Sequence, residues 1–217
     1  MEGGLPMKHR KKYHSISVKG KDGLEYLVEG PISKETLEAC EFDEGLVAFR
    51  KPEQQRKALL EVMDLPESRI VVARLGDLIV GYATYLFPDP LERWSEIQLE
   101  NLLELGAIEV SSKYRGAALA KHILKVSMMD PAVEDYIIIT TEYYWHWDLR
   151  GTGLSIWEYR DIMEKVMKSG GLEWYATDDP EICSHPANCL MARIGKNVSP
   201  TDVHEFDRVR FKHKYML

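Results

Sequence analysis

The residue types best suited to chemistry lie in one stretch, Ile108-Glu109-Val110-Ser111-Ser112-Lys113-Tyr114-Arg115-Gly116-Ala117-Ala118-Leu119-Ala120. Its pattern is an apolar strand that passes through a turn of small residues into a helix. The first N–H groups of a helix have no intrahelical acceptor and carry partial positive charge, so they converge on an anion site where the strand ends. Small residues at 116, 117, 118 and 120 let a pyrophosphate approach a backbone that larger side chains would shield. The same spacing also suits a plain strand–helix corner that uses small residues for close packing.

Three carboxylates lie in or near this stretch. Glu104 stands among Leu102, Leu103 and Leu105. A carboxyl buried there has a raised pKa and takes a proton near pH 7; in an ion pair or at a solvated strand end it does not. Glu109 falls on the opposite strand face, and Glu142 adjoins the aromatic run Tyr143-Tyr144-Trp145-His146-Trp147. Four of the five tryptophans lie between 145 and 174. Such rings wall an acceptor tunnel, stack on a partner, or fill a core. Cys183, His185, Cys189 and His204 are of metal-ligand type, but C-x-H-x-x-x-C fits no common zinc spacing, and no metal is expected.

The elements that must position these groups follow from periodicity and punctuation. Leu24 to Val28 reads as a first strand, and Ser33 caps a helix to about Cys40. Pro52 opens a second helix carrying Ala58, Leu59, Val62 and Met63 on one face. Arg69–Leu75 and Leu78–Phe87, joined by Gly76-Asp77, predict a hairpin with a primed turn. A short helix is expected from Pro90 to about Ile97, a strand over 101–110, a helix over 115–129 and a buried strand over 136–141. Ser155 and Glu158 form a capping box for a helix to about Lys168, followed by a strand over 172–177. A helix over 186–194, a short helix from Ser199-Pro200 and a strand over 209–216 complete the order. The resulting class is mixed α/β, α+β-like, without strict βαβ alternation.

Composition limits the partners. Of 217 residues, 45% are hydrophobic and 29% charged, which supports a packed core. The net charge of −7 argues against nucleic acid and against an anionic membrane, both of which need clustered cations. Three cysteines give no paired framework and point to a reducing, cytoplasmic setting. Residues 1–22, basic at Lys8-His9-Arg10-Lys11-Lys12, read as a flexible tail, and 23–217 as a single domain.

The run V-x-x-x-Y-R-G-x-[G/A]-x-A after an apolar strand resembles the acetyl-CoA signature R/Q-x-x-G-x-G/A of the GCN5-related N-acetyltransferases (GNAT), matching at Arg115 and Ala120, with Ala118 where the family usually has glycine. The resemblance implies a GNAT fold, a central mixed sheet of about six to seven strands flanked by helices. It also implies acetyl-CoA as cosubstrate, its pyrophosphate on the backbone of Arg115, Gly116, Ala117, Ala118 and Ala120. Its acetyl and pantetheine would align on Ile108 and Val110, in the gap where this strand splays from the next. Glu104 falls where protein-lysine members hold a general base, with Glu109 and Glu142 as alternatives. In the family's late-helix frame A-x-x-L-Y-x-x-x-G, Ala187, Leu190 and Gly195 match, while Met191 replaces the tyrosine that protonates the leaving thiolate; Tyr143 or Tyr144 is then the candidate, or no side chain. YLFPDPLERW (85–94), TEYYWHWDL (141–149), GGLEWYATDDPEI (170–182) and SHPANCLMARIGK (184–196) are similar to the bacterial acetoin-utilization branch of that family. That similarity implies a protein lysine acetyltransferase that switches off AMP-forming acetyl-CoA synthetase. A small-amine N-acetyltransferase, or a regulator inhibiting its partner by tight binding, stays open.

Overall fold

His-Ser-Ile-Ser-Val-Lys alternates polar with apolar residues, and in the computed structural model, which describes residues 7–212, it forms strand β1 (His14–Lys19). Residues 14–19 of the expected tail are therefore part of a sheet, while residues 1–6 lie outside those described: β1 pairs antiparallel with β2 (Glu25–Gly30), from His14 opposite Gly30 to Lys19 opposite Glu25. Only Val18 of β1 is buried, which is why the segment looks like solvated chain in the sequence. Residues 10–12 are also held. The Arg69 guanidinium donates to the Arg10 carbonyl, and the Lys12 amide donates to Asp130 at 2.8 Å. Asp130 in turn accepts from Arg69 at 2.6 Å, a pair 2% and 4% exposed.

The chain divides into two compact units. The first holds residues 8–87 and 105–133. After β1 and β2 come α1 (Lys34–Ala39), the two-residue β3 (Glu41–Phe42), α2 (Pro52–Val62), the hairpin β4 (Arg69–Leu75) and β5 (Leu78–Leu86), β6 (Leu102–Val110) from Leu105 onward, and α3 (Leu119–Ser127). Strand order is β1-β2-β4-β5-β6, with β3 parallel to β5. The helix starts are those expected: Ser33 Oγ accepts from Thr36 N–H at 3.2 Å, and Pro52 occupies the first turn of α2. Gly76 turns the hairpin with φ +55°, the positive value a primed two-residue loop needs at its first central position. Leu37, Leu46, Leu59, Ile70, Val72 and Tyr82 form the core under α1 and α2, while α3 buries Leu119, Ile123, Leu124 and Val126 against β2, β4 and β5.

The second unit holds residues 88–104 and 134–212 together with residue 7. It contains the start of β6, then β7 (Ile137–Glu142), α4 (Leu149–Thr152), α5 (Ile156–Ser169), β8 (Glu173–Tyr175), α6 (Pro180–Cys183), β9 (Cys189–Ile194) and α7 (Pro200–Arg210), with strand order β6-β7-β9-β8. Trp94, Ile137, Ile139, Leu190, Ala192 and Phe206 fill its core. The capping box on α5 is complete: Ser155 Oγ accepts from Glu158 N–H at 3.3 Å, and Glu158 Oε2 accepts from Ser155 N–H at 2.9 Å.

Four expectations need correcting. Residues 189–194 are a strand, not a helix. A six-residue apolar run carries too little period to separate the two states, and pairing on both edges, with β7 and β8, decides it. The helix expected over 90–97 shrinks to a 3-10 turn at Arg93–Ser95. α7 runs to Arg210 through the start of the expected last strand; residues 213–216 lie outside those described. The described residues hold nine strands instead of six to seven, the ones not expected being β1, the short β3 and β9. No helix among them is long and apolar enough to cross a membrane.

Candidate active site

In the first unit, β6 ends at Val110, and the next residue, Ser111, is fully buried and fixed by its own bonds: its N–H donates to Val80 O at 2.9 Å, and its Oγ to Asp43 Oδ1 at 2.6 Å. The chain then makes a 3-10 turn over Ser112–Ala117, and α3 begins only at Leu119, four residues later than the sequence suggests. The break is Ala118, whose φ of +53° and ψ of +31° are left-handed. An L-residue with a Cβ pays for that conformation, roughly 1–2 kcal/mol, and glycine would not. Arg115, Gly116 and Ala118 are exposed and Ala120 half-buried. A Cβ built on Gly116 meets no heavy atom within 4 Å, so packing does not require a glycine there. This weakens the close-packed-corner reading at Gly116 and leaves the backbone open to a ligand.

The turn is braced from below. Tyr114 is buried edge-on against Tyr26, with ring centroids 6.1 Å apart at 80°, and Tyr26 OH donates to Asp22 Oδ2 at 2.5 Å. The bond to Tyr26 holds the Asp22 carboxyl below its ordinary value, and burial followed by Asp22 pushes the Tyr26 phenol well up. These two residues escape a reading of the sequence because only pairing of β1 with β2 brings the hairpin tip beside the turn. Upstream on β6, Ile108 and Val110 are half-buried. Glu109 is buried and engaged at both oxygens: Oε1 accepts from Ala48 N–H at 2.7 Å and Oε2 from Tyr82 OH at 2.8 Å.

In the second unit, β6 and β7 pair in parallel at Leu102–Ile137, Leu103–Ile138 and Glu104–Ile139. Glu104 is half-buried there, and its pKa is raised to about 8, first by burial and then by the negative charges of Glu92 and Asp89, against a hydrogen bond from Thr141. The Thr141 side chain also hydrogen-bonds Tyr143, whose phenol is pushed above its ordinary value by burial and then by Glu181 and Asp179. Thr141 thus joins the carboxyl to a phenol, a link signalled in the sequence only by the polar Thr-Thr-Glu end of an otherwise apolar strand. Glu142 accepts from Thr140 Oγ1 and from Trp147 Nε1, each at 3.2 Å, and burial raises its pKa despite both bonds.

Tyr144 turns away from this network. Its ring lies 4.3 Å from that of His185, and its N–H donates to Asn188 Oδ1 at 3.0 Å. Met191 is fully buried in β9, opposite Thr140 and Trp174, so the late frame expected on a helix lies on a strand. Gly195 ends that strand where a Cβ would stand 2.2 Å from the Glu134 carbonyl, which accounts for the glycine by close backbone approach. Among the described residues no three His, Cys, Asp or Glu side chains converge as a metal set. Cys189, beside Glu142 in the sheet, has its thiol pushed up to about 12 by burial and by that carboxylate.

No protein-family model matches the chain. The sequence is 60% identical over 210 residues to the acetoin utilization protein AcuA of Bacillus subtilis strain 168, covering 97% of this chain and 100% of that protein. It is 59% identical over 210 residues to AcuA of Bacillus licheniformis, with the same coverage. The crystal structure of an acetoin utilization protein from Exiguobacterium sibiricum 255-15 matches with a TM-score of 0.91 at 52% identity, over 95% of this chain and 98% of that one. A GNAT-family acetyltransferase from Streptococcus pneumoniae shares the fold at a TM-score of 0.50 and 11% identity, over 78% of this chain and 99% of that one. With identity at the AcuA level sustained along its whole length, the chain belongs to the AcuA family of acetoin utilization proteins, built on the GNAT N-acetyltransferase fold.

Proposed function

We propose that this acetyl-CoA-dependent N-acetyltransferase acts on a protein lysine, the catalytic lysine of AMP-forming acetyl-CoA synthetase, and inactivates that enzyme in acetoin and acetate metabolism. The observation that carries lysine transfer is Glu104, a strand carboxyl whose pKa is raised to about 8. A lysine ε-amine has a pKa near 10.4, so at neutral pH only about one in a thousand is free base. A carboxylate of pKa near 8 is a far better proton acceptor than an ordinary glutamate, and near neutral pH a useful fraction of it is ionised.

The exposed turn at Arg115, Gly116 and Ala118, with Ala117 buried between them, fits the pyrophosphate of acetyl-CoA, since the open space over Gly116 is what a bound phosphate would occupy. Ile108 and Val110 would align the acetyl and pantetheine through their main chain. Acetyl-CoA supplies an activated thioester: the lysine N–C bond forms as the C–S bond breaks. Glu104 takes the proton from nitrogen. Tyr143, held protonated by its raised pKa and joined to Glu104 through Thr141, is better placed in this network than Tyr144 to return a proton to the thiolate. Glu109, committed to Tyr82 and Ala48, holds the loop before α2 and takes no proton in this scheme.

In the synthetase, the target lysine stabilises negative charge while the substrate carboxylate attacks ATP. Acetylation removes both the charge and the ammonium donor, a loss of several kcal/mol from the adenylation transition state. To test this, the synthetase is treated with this protein and acetyl-CoA, and its adenylation and thioester-forming half-reactions are assayed separately. Adenylation should fall in step with acetylation while the second half-reaction survives. Adenylation that persists after stoichiometric acetylation refutes the target assignment, and equal inhibition without acetyl-CoA replaces transfer by tight binding.

A further inference from the structure

The second unit leaves three tryptophans half in water: Trp145 is 45% exposed, Trp157 52% and Trp174 55%. They are not scattered. Trp157 stacks on His185 at 6.2 Å, His185 meets Tyr144 at 4.3 Å, Tyr144 meets Trp145 edge-on at 5.4 Å, and Trp145 stacks on Tyr143 at 4.9 Å. Beside this run lies a cleft of about 470 Å³ walled by Trp174, Ile182, Leu190, Arg160 and the same His185. A row of large rings held in fixed orientation offers contact area at small entropic cost, the property of a binding surface. The backbone beneath is fixed too. The buried Asn188 accepts from Tyr144 N–H at 3.0 Å and donates to the Glu181 carbonyl at 3.2 Å, while His185 Nδ1 accepts from Ala187 N–H at 3.1 Å.

We propose that this aromatic shelf is the docking surface for the acceptor protein, and that its occupant is a cationic, lysine-bearing segment of that protein. The inference rests on the lysine-transfer reading above. Charge supplies the argument for the occupant. Asp89, Glu92 and Glu181 are exposed, and no Lys or Arg among the described residues forms an ion pair with any of the three, whereas Asp179 is paired with Arg93 at 2.9 Å. Their field reaches both ends of the shelf's link to chemistry: Glu92 and Asp89 act on Glu104, and Glu181 and Glu92 act on Tyr143. Leu91, 96% exposed between Asp89 and Glu92, adds an apolar contact on the same acidic turn. Arg160, the one cation lining the cleft, donates to the Pro186 carbonyl at 2.9 Å. Carboxylates and indole faces together favour ammonium and guanidinium groups and reject anionic segments. Tyr143 is stacked in the ring run and directly follows β7, the strand whose Ile139 pairs with Glu104, so the shelf adjoins the strand that flanks the base.

The experiment compares the full-length protein with Trp157→Ala, Trp174→Ala and Trp157→Phe, and separately with the double variant Glu92→Gln/Glu181→Gln. Each is assayed with acetyl-CoA synthetase and with Nα-acetyl-lysine amide as acceptor. The alanine variants should lose about tenfold or more in kcat/KM for the synthetase, carried by KM, while transfer to the lysine amide and KM for acetyl-CoA stay within about twofold. Trp157→Phe should recover most of the loss, and the glutamine pair should flatten the salt dependence of the reaction with the synthetase. Alanine variants that keep wild-type kcat/KM for the synthetase overturn the docking surface and leave lysine transfer standing. A wild-type protein that acetylates the lysine amide but no lysine of the synthetase refutes the parent reading and this inference with it.

Discussion

Replacing Glu104 by glutamine tests the proposed base through activity and stability at once, with opposite signs. The folded-state pKa of about 8 lies above the ordinary 4.5 of a glutamate, so the native protein binds a proton that the unfolded chain releases. The stability associated with that proton is fully present below pH 4.5 and is lost progressively as pH rises through 8. At about 1.4 kcal/mol per unit, the 2.5 units between 4.5 and pH 7 correspond to a penalty of roughly 3.5 kcal/mol, an upper bound because Glu104 is only half-buried. Glutamine has no charge to desolvate. Glu104→Gln should therefore be more stable than wild type at pH 7–8, with the gap closing toward pH 5. Its activity should go the other way. Wild-type kcat should rise with unit slope up to about pH 8, so that about 1% of the base is ionised at pH 6. The variant should lose about 10²-fold or more in kcat at pH 7, change KM for acetyl-CoA little and show no such limb. Urea denaturation across pH 5–8, set beside pH–rate profiles, measures both. A variant with wild-type kinetics, or one whose stability relative to wild type does not vary with pH, refutes the assignment.

Gly116→Trp and Ala120→Glu should each weaken acetyl-CoA binding by about tenfold or more in calorimetry, and since a side chain at 116 meets open space, the first should leave Tm almost unchanged. Ala118→Gly relieves a left-handed alanine and should raise unfolding stability by about 0.5–1 kcal/mol net of glycine's chain entropy; a lower urea midpoint would show that the φ of +53° carries no strain. Asp130→Ala strands the buried Arg69 and removes the acceptor of the Lys12 amide, and should cost about 3–5 kcal/mol, measured by urea denaturation. Arg69→Met with Asp130→Leu should recover only part of it, because the Lys12 and Ala132 amides then lose the Asp130 acceptor and the Arg10 carbonyl loses the Arg69 donor. In the wild type, Arg69 and backbone amides outweigh burial and hold the Asp130 carboxyl low, so its contribution is present at neutral pH and is lost as pH falls through that depressed value.

Where chemical pattern is local, the sequence by itself determines the outcome. Glycine at 76 fixes the β4–β5 hairpin, serine caps start α1 and α5, and proline opens α2, because each acts through backbone groups within a few residues of itself. The small-residue turn after β6 and its closeness to a GNAT signature are equally local, and with the long strings at 85–94, 141–149 and 170–196 they suffice for the family. Tertiary structure decides what depends on partners distant in the chain. Residues 189–194 become a strand because β7 and β8 pair with both edges, against their helical composition. β1 joins the sheet through six backbone pairs although most of its side chains stay in water. The three carboxylates are alike in the sequence and differ only in surroundings: Glu109 meets Tyr82 and Ala48, Glu142 meets Thr140 and Trp147, and Glu104 is left with Thr141 and the negative field of Glu92 and Asp89. A proton affinity is set by desolvation and by charges within a few ångströms, and chain order does not specify which groups come that close.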